Sequence, residues 1–317
     1  MTGTQIQSRL IKDILTGILI YILIITIMYI MPLSGVAAWL FLPLPVLFYR
    51  LKTGRKGGIM IMLASLTVLM LVTRNIAMIT LYFGSLLMTG FILGECIEKH
   101  FPIGKIMLFT SFIVFGSCLV GIFLYSVAQG QEIQQLISGY VSNYYSMSGE
   151  FFSELESLYP EMNLDRQMFE KENSVILLAA PGIFISSYLM MMWMNILLIK
   201  KILLKKGIIV KTIENLNRWK APDYLVFGLI AVSALIFFAS GVLKFVSVNF
   251  LIVLLFVYFF QGIAVVSFFF QKKRTPFAVK FFFYLLIAIL PQFLFLVIGC
   301  GLFDTWINFR KLDTSTS

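Results

Sequence analysis

Long apolar runs separated by short polar stretches are the dominant pattern along the chain. A helix needs about 20 apolar residues to cross a hydrocarbon layer roughly 30 Å thick. Nine stretches come near that length: residues 14–31, 33–49, 58–73, 76–94, 106–128, 174–199, 224–243, 245–270 and 277–302. The one charged residue among them is Lys280, near the start of the last, and none alternates like the strands of a membrane barrel. Backbone polar groups in lipid must be satisfied within the protein, so these stretches are predicted to be helices. The expected fold is all-α, a polytopic transmembrane bundle of eight or nine spans. The count stays open because Pro43 and Pro45 interrupt the second stretch, which reads as a span or as a broken or re-entrant helix. Pro181-Gly182 and Pro291 predict kinks in the sixth and ninth. Residues 14–31 are too long for a signal-peptide core and no small-residue cleavage pattern follows them, so the first helix is expected to be a retained anchor.

One segment breaks the pattern. Residues 129–173 carry Glu132, Glu150, Glu154, Glu156, Glu161, Asp165, Glu170 and Glu172 against Arg166 and Lys171. Ile133, Leu136, Ile137, Tyr140, Val141, Tyr144 and Tyr145 recur at helical spacing, which predicts an amphipathic helix outside the membrane. It reads either as a lid or partner-docking element, or as an interfacial helix with tyrosines at headgroup depth. The expected organisation is then an N-terminal membrane module (1–128), the acidic amphipathic segment (129–173) and a C-terminal membrane module (174–317).

Composition agrees with lipid as the main solvent. Of the 317 residues, 60% are hydrophobic and 13% charged, about half the charge that a soluble globule carries. The net charge of +10 resembles a nucleic-acid signal until the cations are sorted by loop. With the N-terminus inside, inner loops hold 19 of the 25 Lys and Arg, as the positive-inside rule requires. Nine spans would leave the tail outside, and eight would leave it inside with Arg310 and Lys311. No basic face interleaved with stacking aromatics is present, so no nucleic-acid partner is expected.

Candidate chemistry is sparse. His100 lies beside Glu95, Cys96 and Glu98, but nothing supplies further ligands at a recognisable spacing, so no metal site is expected. Cys96, Cys118 and Cys300 are single and scattered. Neither a phosphate-binding GxxxxGK[ST] loop nor a GxSxG elbow occurs. No catalytic residue, enzymatic role or cofactor is expected. Within the spans, Asn195, Gln261 and Gln292 are the candidate ligand-binding residues, with Asn249 a further polar group; each has helix–helix hydrogen bonding as its alternative use. Gly90 and Gly94 form a GxxxG pair, a weak signal by itself.

Two stretches go beyond composition. Pro181-Gly182, Asn195 and the run Asn217-Arg218-Trp219-Lys220-Ala221-Pro222 precede a tail that reads Gly301-Leu302-Phe303-Asp304-Thr305-Trp306-Ile307-Asn308-Phe309-Arg310-Lys311. Together they resemble the YybS-like family of bacterial multi-spanning membrane proteins, a family of unknown function. Its N-terminal half is in turn similar in span arrangement to the substrate-binding subunit of energy-coupling-factor vitamin transporters. Those subunits dock through an Ala-x-x-x-Ala patch on the first helix, and this first helix carries none. The resemblance implies a multi-pass protein of the bacterial cytoplasmic membrane and marks Pro181, Trp219, Pro222, Asp304, Trp306 and Arg310 as motif residues. Physically, Trp306 reads as an interface anchor, Asp304 and Arg310 as a possible pair, and Trp219-Lys220-Ala221-Pro222 as a helix start. The expected role is solute binding or transport, with an apolar or amphipathic pocket among the early helices and no ATPase of its own. The alternative is a scaffold that recruits envelope partners. Expected partners are membrane lipid, a small-molecule solute and other membrane proteins.

Overall fold

The computed structural model describes residues 3–30, 40–73, 83–159, 165–207 and 215–312, together with Glu161 and Ile213. These residues form ten α-helices and no strand: α1 (Gly3–Ile30), α2 (Pro43–Thr73), α3 (Gly84–Glu98), α4 (Ile103–Gln129), α5 (Ile133–Leu158), α6 (Arg166–Lys205), α7 (Leu225–Phe238), α8 (Gly241–Lys272), α9 (Phe277–Ile289) and α10 (Pro291–Ile307). A 3-10 turn, Leu216–Arg218, precedes α7.

The helical membrane bundle is as expected. Among the described residues, four helices are long and apolar enough to cross a membrane: Pro43–Leu71, Ile103–Gln129, Arg166–Lys205 and Gly241–Lys272. A fifth span is counted only if α9 and α10, bent by 107° at their junction, act as one. Where residues 33–49 and 58–73 were expected as separate spans, Pro43–Thr73 is one helical run broken at Gly54 (φ 79°, ψ −172°), a left-handed conformation that suits glycine. Residues 31–39 and 74–82, parts of the second and fourth expected stretches, lie outside the described residues. Pro43 and Pro45 stand in the first turn of α2, where a missing N–H costs no helix bond.

The chain forms two compact units. The first holds Met1–Leu164 and Leu189–Glu214; the second holds Asp165–Tyr188 and Asn215–Ser317. The helix α6 therefore gives its first part to the second unit and its remainder to the first.

In the first unit, Tyr21 of α1 is buried, donates to the Leu42 carbonyl (2.8 Å) and accepts from the Val46 N–H (3.3 Å). The GxxxG pair turns out to be a packing face. A Cβ on Gly90 would overlap the Pro43 carbonyl, and one on Gly94 would press on the stem of Arg50 at 2.6 Å. Small residues at this spacing let two helix backbones approach closely. The expected amphipathic helix is α5, which opens on a Glu132–Gln135 capping box and buries Phe152, while Ile137 and Tyr140 are exposed.

In the second unit, Pro181 sits inside α6. Proline cannot donate to the helix ladder, and Asn249 of α8 repairs the break. Its Nδ2 donates to the Leu178 carbonyl (2.9 Å), and its Oδ1 accepts from the Gly182 N–H. The Leu178 carbonyl and Gly182 amide are the two groups an unbroken helix would join directly.

Candidate functional site

A buried polar network lies in the second unit, where α8 and α10 cross. Gly262 and Gly301 permit that crossing: a Cβ on Gly262 would overlap the Val297 carbonyl, and one on Gly301 the Tyr258 carbonyl. One turn beyond Gly301, the same face of α10 presents Asp304, buried to 1% exposure. Helix α10 ends at Asn308 in the left-handed conformation (φ 48°), which asparagine tolerates better than most residues. The reversal swings Arg310 back over the last turn, where its Nη2 donates to Asp304 Oδ2 at 2.7 Å.

Three further bonds reach this pair directly, and two more extend the network. Gln261 of α8 donates to Asp304 Oδ2 (3.2 Å) and accepts from the Ala221 N–H (3.1 Å). Arg310 Nη1 donates to the carbonyls of Asn217 and Trp219, both at 2.9 Å. Asn217 in turn donates to Gln271 at 2.6 Å. A buried ion pair persists only where extra hydrogen bonds offset its desolvation, and these supply them. Asp304 Oδ1, Arg310 Nε and the Tyr258 hydroxyl are buried without a partner among the described residues.

Beside this network lies an open apolar groove of about 350 Å³, lined by Val265, Val266, Phe269 and Phe270 of α8, Phe283 of α9, Cys300 of α10 and Phe309. It adjoins the bent α9–α10 pair. The expected pocket was among the early helices; this one belongs to the second unit.

The residues singled out in the sequence fall into distinct places. Gln261, Trp219, Asp304 and Arg310 meet in the network, Trp219 through its carbonyl. Asn195 belongs to the first unit, where it is buried and donates to the Leu40 (2.8 Å) and Met191 (2.7 Å) carbonyls. Gln292 is exposed at the second position of α10, next to the bend. Trp306 is exposed and packs beside Phe303 with ring centroids 6.3 Å apart. Pro222 lies in the turn before α7, whose first residue, Leu225, donates to the Pro222 carbonyl at 3.1 Å.

Two contributors escaped the sequence reading. Asn217 was part of a motif with no role attached. Arg50, grouped with the loop cations, is fully buried in the first unit. Its Nε donates to Glu95 at 2.7 Å, its Nη2 reaches Glu95 and Glu98, and its guanidinium lies 5.8 Å from the centre of the Phe91 ring. Arg55 closes the cluster on Glu95 at 2.8 Å. Burial works to raise the Glu95 carboxyl, but hydrogen bonds and charge from Arg55 and Arg50 together hold it below the usual range. The signal that could have found Arg50 is its pairing with the glycines that flank it, Gly58 and Gly94.

Comparison with known families places the chain. The family described as "Predicted membrane protein (DUF2232)" matches residues 18–305, so the chain belongs to that membrane protein family. No curated protein and no solved structure matches it.

Proposed function

From membership of this membrane family as the premise, we propose that the protein is a solute-binding, transport-related protein of the bacterial cytoplasmic membrane that relies on another chain for any energy coupling. The observation that carries this reading is the apolar groove at the broken α9–α10 pair. Discontinuous helices build the solute sites of many transporters, and here Phe283 and Cys300, one from each helix of the bent pair, share the lining. The lining of Val, Phe and Cys suits the apolar part of an amphipathic solute. Gln261 belongs to the adjoining lock and Asn195 to helix packing in the first unit; neither lines this groove.

Native mass spectrometry of the detergent-purified protein tests the proposal. The wild-type protein is expected to carry a small amphipathic species, and Val266→Trp, which fills the groove, to release it. A wild-type protein without such a species, or one retained equally by Val266→Trp, contradicts it.

The scaffold reading draws support from one observation. Helix α5 leaves Ile133, Ile137, Tyr140 and Tyr145 exposed on its apolar stripe. Deleting residues 133–158 separates the two readings: the solute reading expects binding to persist, while the scaffold reading expects co-purifying envelope proteins to be lost.

A further inference from the structure

The second unit also shows which end of α8 the chain returns to. Helix α8 ends at Lys272, and α9 leaves from the adjoining Lys273–Pro276 turn. At about 1.5 Å per residue, the 13 residues of α9 cover roughly 20 Å and the 17 of α10 roughly 25 Å. Neither crosses a hydrocarbon layer of about 30 Å unaided. A broken span would deliver the tail to the opposite end of α8. Instead, Arg310 bonds to Asn217, and Asn217 bonds to Gln271, the residue before Lys272. The α9–α10 pair therefore leaves and re-enters at one end.

That end gathers three basic segments. Arg218, Lys272, Lys273, Arg274 and Lys311 are exposed and Lys220 is half-buried. Within this cluster Asp223 pairs with Lys220 at 2.7 Å. The half-buried Trp219 sits within the cluster, an indole of the kind that settles at headgroup level. At the opposite end, α8 opens on Gly241 and carries Lys244. Basic clusters just beyond a membrane helix attract anionic headgroups, each Lys or Arg near the surface adding to the attraction.

We propose that these three segments, assembled through Arg310 and Asn217, form a binding face for the headgroups of anionic phospholipid on the cytoplasmic leaflet. This goes beyond the solute reading and does not depend on it, because the face and the apolar groove use different residues.

The test uses the full chain in micelles with equal phosphatidylglycerol and phosphatidylcholine of matched acyl chains, read by native mass spectrometry. The wild-type protein is expected to retain phosphatidylglycerol with a preference of about tenfold or more, which falls as salt is raised. The combined Lys272→Gln, Lys273→Gln, Arg274→Gln and Lys311→Gln variant is expected to lose that preference, and Lys244→Gln to keep it. Equal retention of the two lipids by the wild-type protein overturns the proposal. So does a preference that ignores salt, or one that survives the fourfold variant. The salt series needs no variant, so it decides the matter even if the fourfold variant fails to fold.

Discussion

Each unit buries an arginine, and the two are treated in opposite ways. Arg50 in the first unit and Arg310 in the second are both fully enclosed at the side chain. The partners of Arg50 reach toward water, since Glu95 is 17% and Glu98 57% exposed, and Arg55 shares the load on Glu95. Asp304, the partner of Arg310, is as buried as the arginine itself. A charge with solvated partners can relax when one is lost. A charge sealed in with a single carboxylate cannot, so the second unit depends on one residue pair where the first spreads the same task over four.

Removing one member of the sealed pair should have the largest effect. Asp304→Ala leaves the Arg310 charge uncompensated and is expected to cost about 3–5 kcal/mol, read as a fall in the denaturation midpoint of detergent-solubilised protein. Combining Asp304→Leu with Arg310→Met should recover much of that stability, because it removes both charges together. If the double variant is no better than the single, the burden lies in the backbone contacts of Arg310 and not in its charge.

The glycines that admit each arrangement rank next. Gly262→Ala forces a methyl group against the Val297 carbonyl, part of a helix backbone, and should cost about 1–3 kcal/mol. Gly94→Ala meets the stem of Arg50, a side chain and not a backbone carbonyl, and should cost less. The reverse order would mean that α2 and α3 pack more rigidly than α8 and α10.

Acid should distinguish the two units. The folded value of Glu95 is depressed, so its contribution is complete above its ordinary value of about 4.3 and is lost as pH falls through the lower folded value. A melting series taken down through that window should show a loss of stability that is smaller in Glu95→Gln. An unchanged acid slope in that variant removes Glu95 from the explanation. The smallest effect belongs to Arg55→Gln, which leaves Arg50 on Glu95 and should produce no resolvable change in melting.

Much of this architecture was legible from hydropathy. Helices α4 and α5 match their apolar and amphipathic patterns closely, and Pro291 marked the site of the α9–α10 bend. The bend was expected as a kink within one span because an apolar run looks the same whether the chain crosses or turns back. What reveals the return is Arg310 on the Asn217 and Trp219 carbonyls, more than 90 residues away. Backbone acceptors leave no mark in a side-chain pattern. Gln261 and Asp304 each stood out as polar groups near apolar runs, but their pairing depends on the Gly262–Gly301 crossing, which fixes the register. Arg50 was hidden by its neighbours: beside Lys52, Arg55 and Lys56 it looks like one more topogenic cation, and its burial follows from glycines 8 and 44 residues further on.

The central claim is that the tail closes back on the basic end of α8 through Arg310. It is tested most directly by placing a cysteine at Lys311 in a variant whose Cys96, Cys118 and Cys300 are replaced by alanine. A membrane-impermeant thiol reagent is then applied to sealed vesicles of either orientation. Lys311→Cys should be labelled from the cytoplasmic face, as should a cysteine at Lys273 in the same background. Labelling of Lys311→Cys from the opposite face to Lys273→Cys would contradict the claim, because it would make α9 and α10 one broken span.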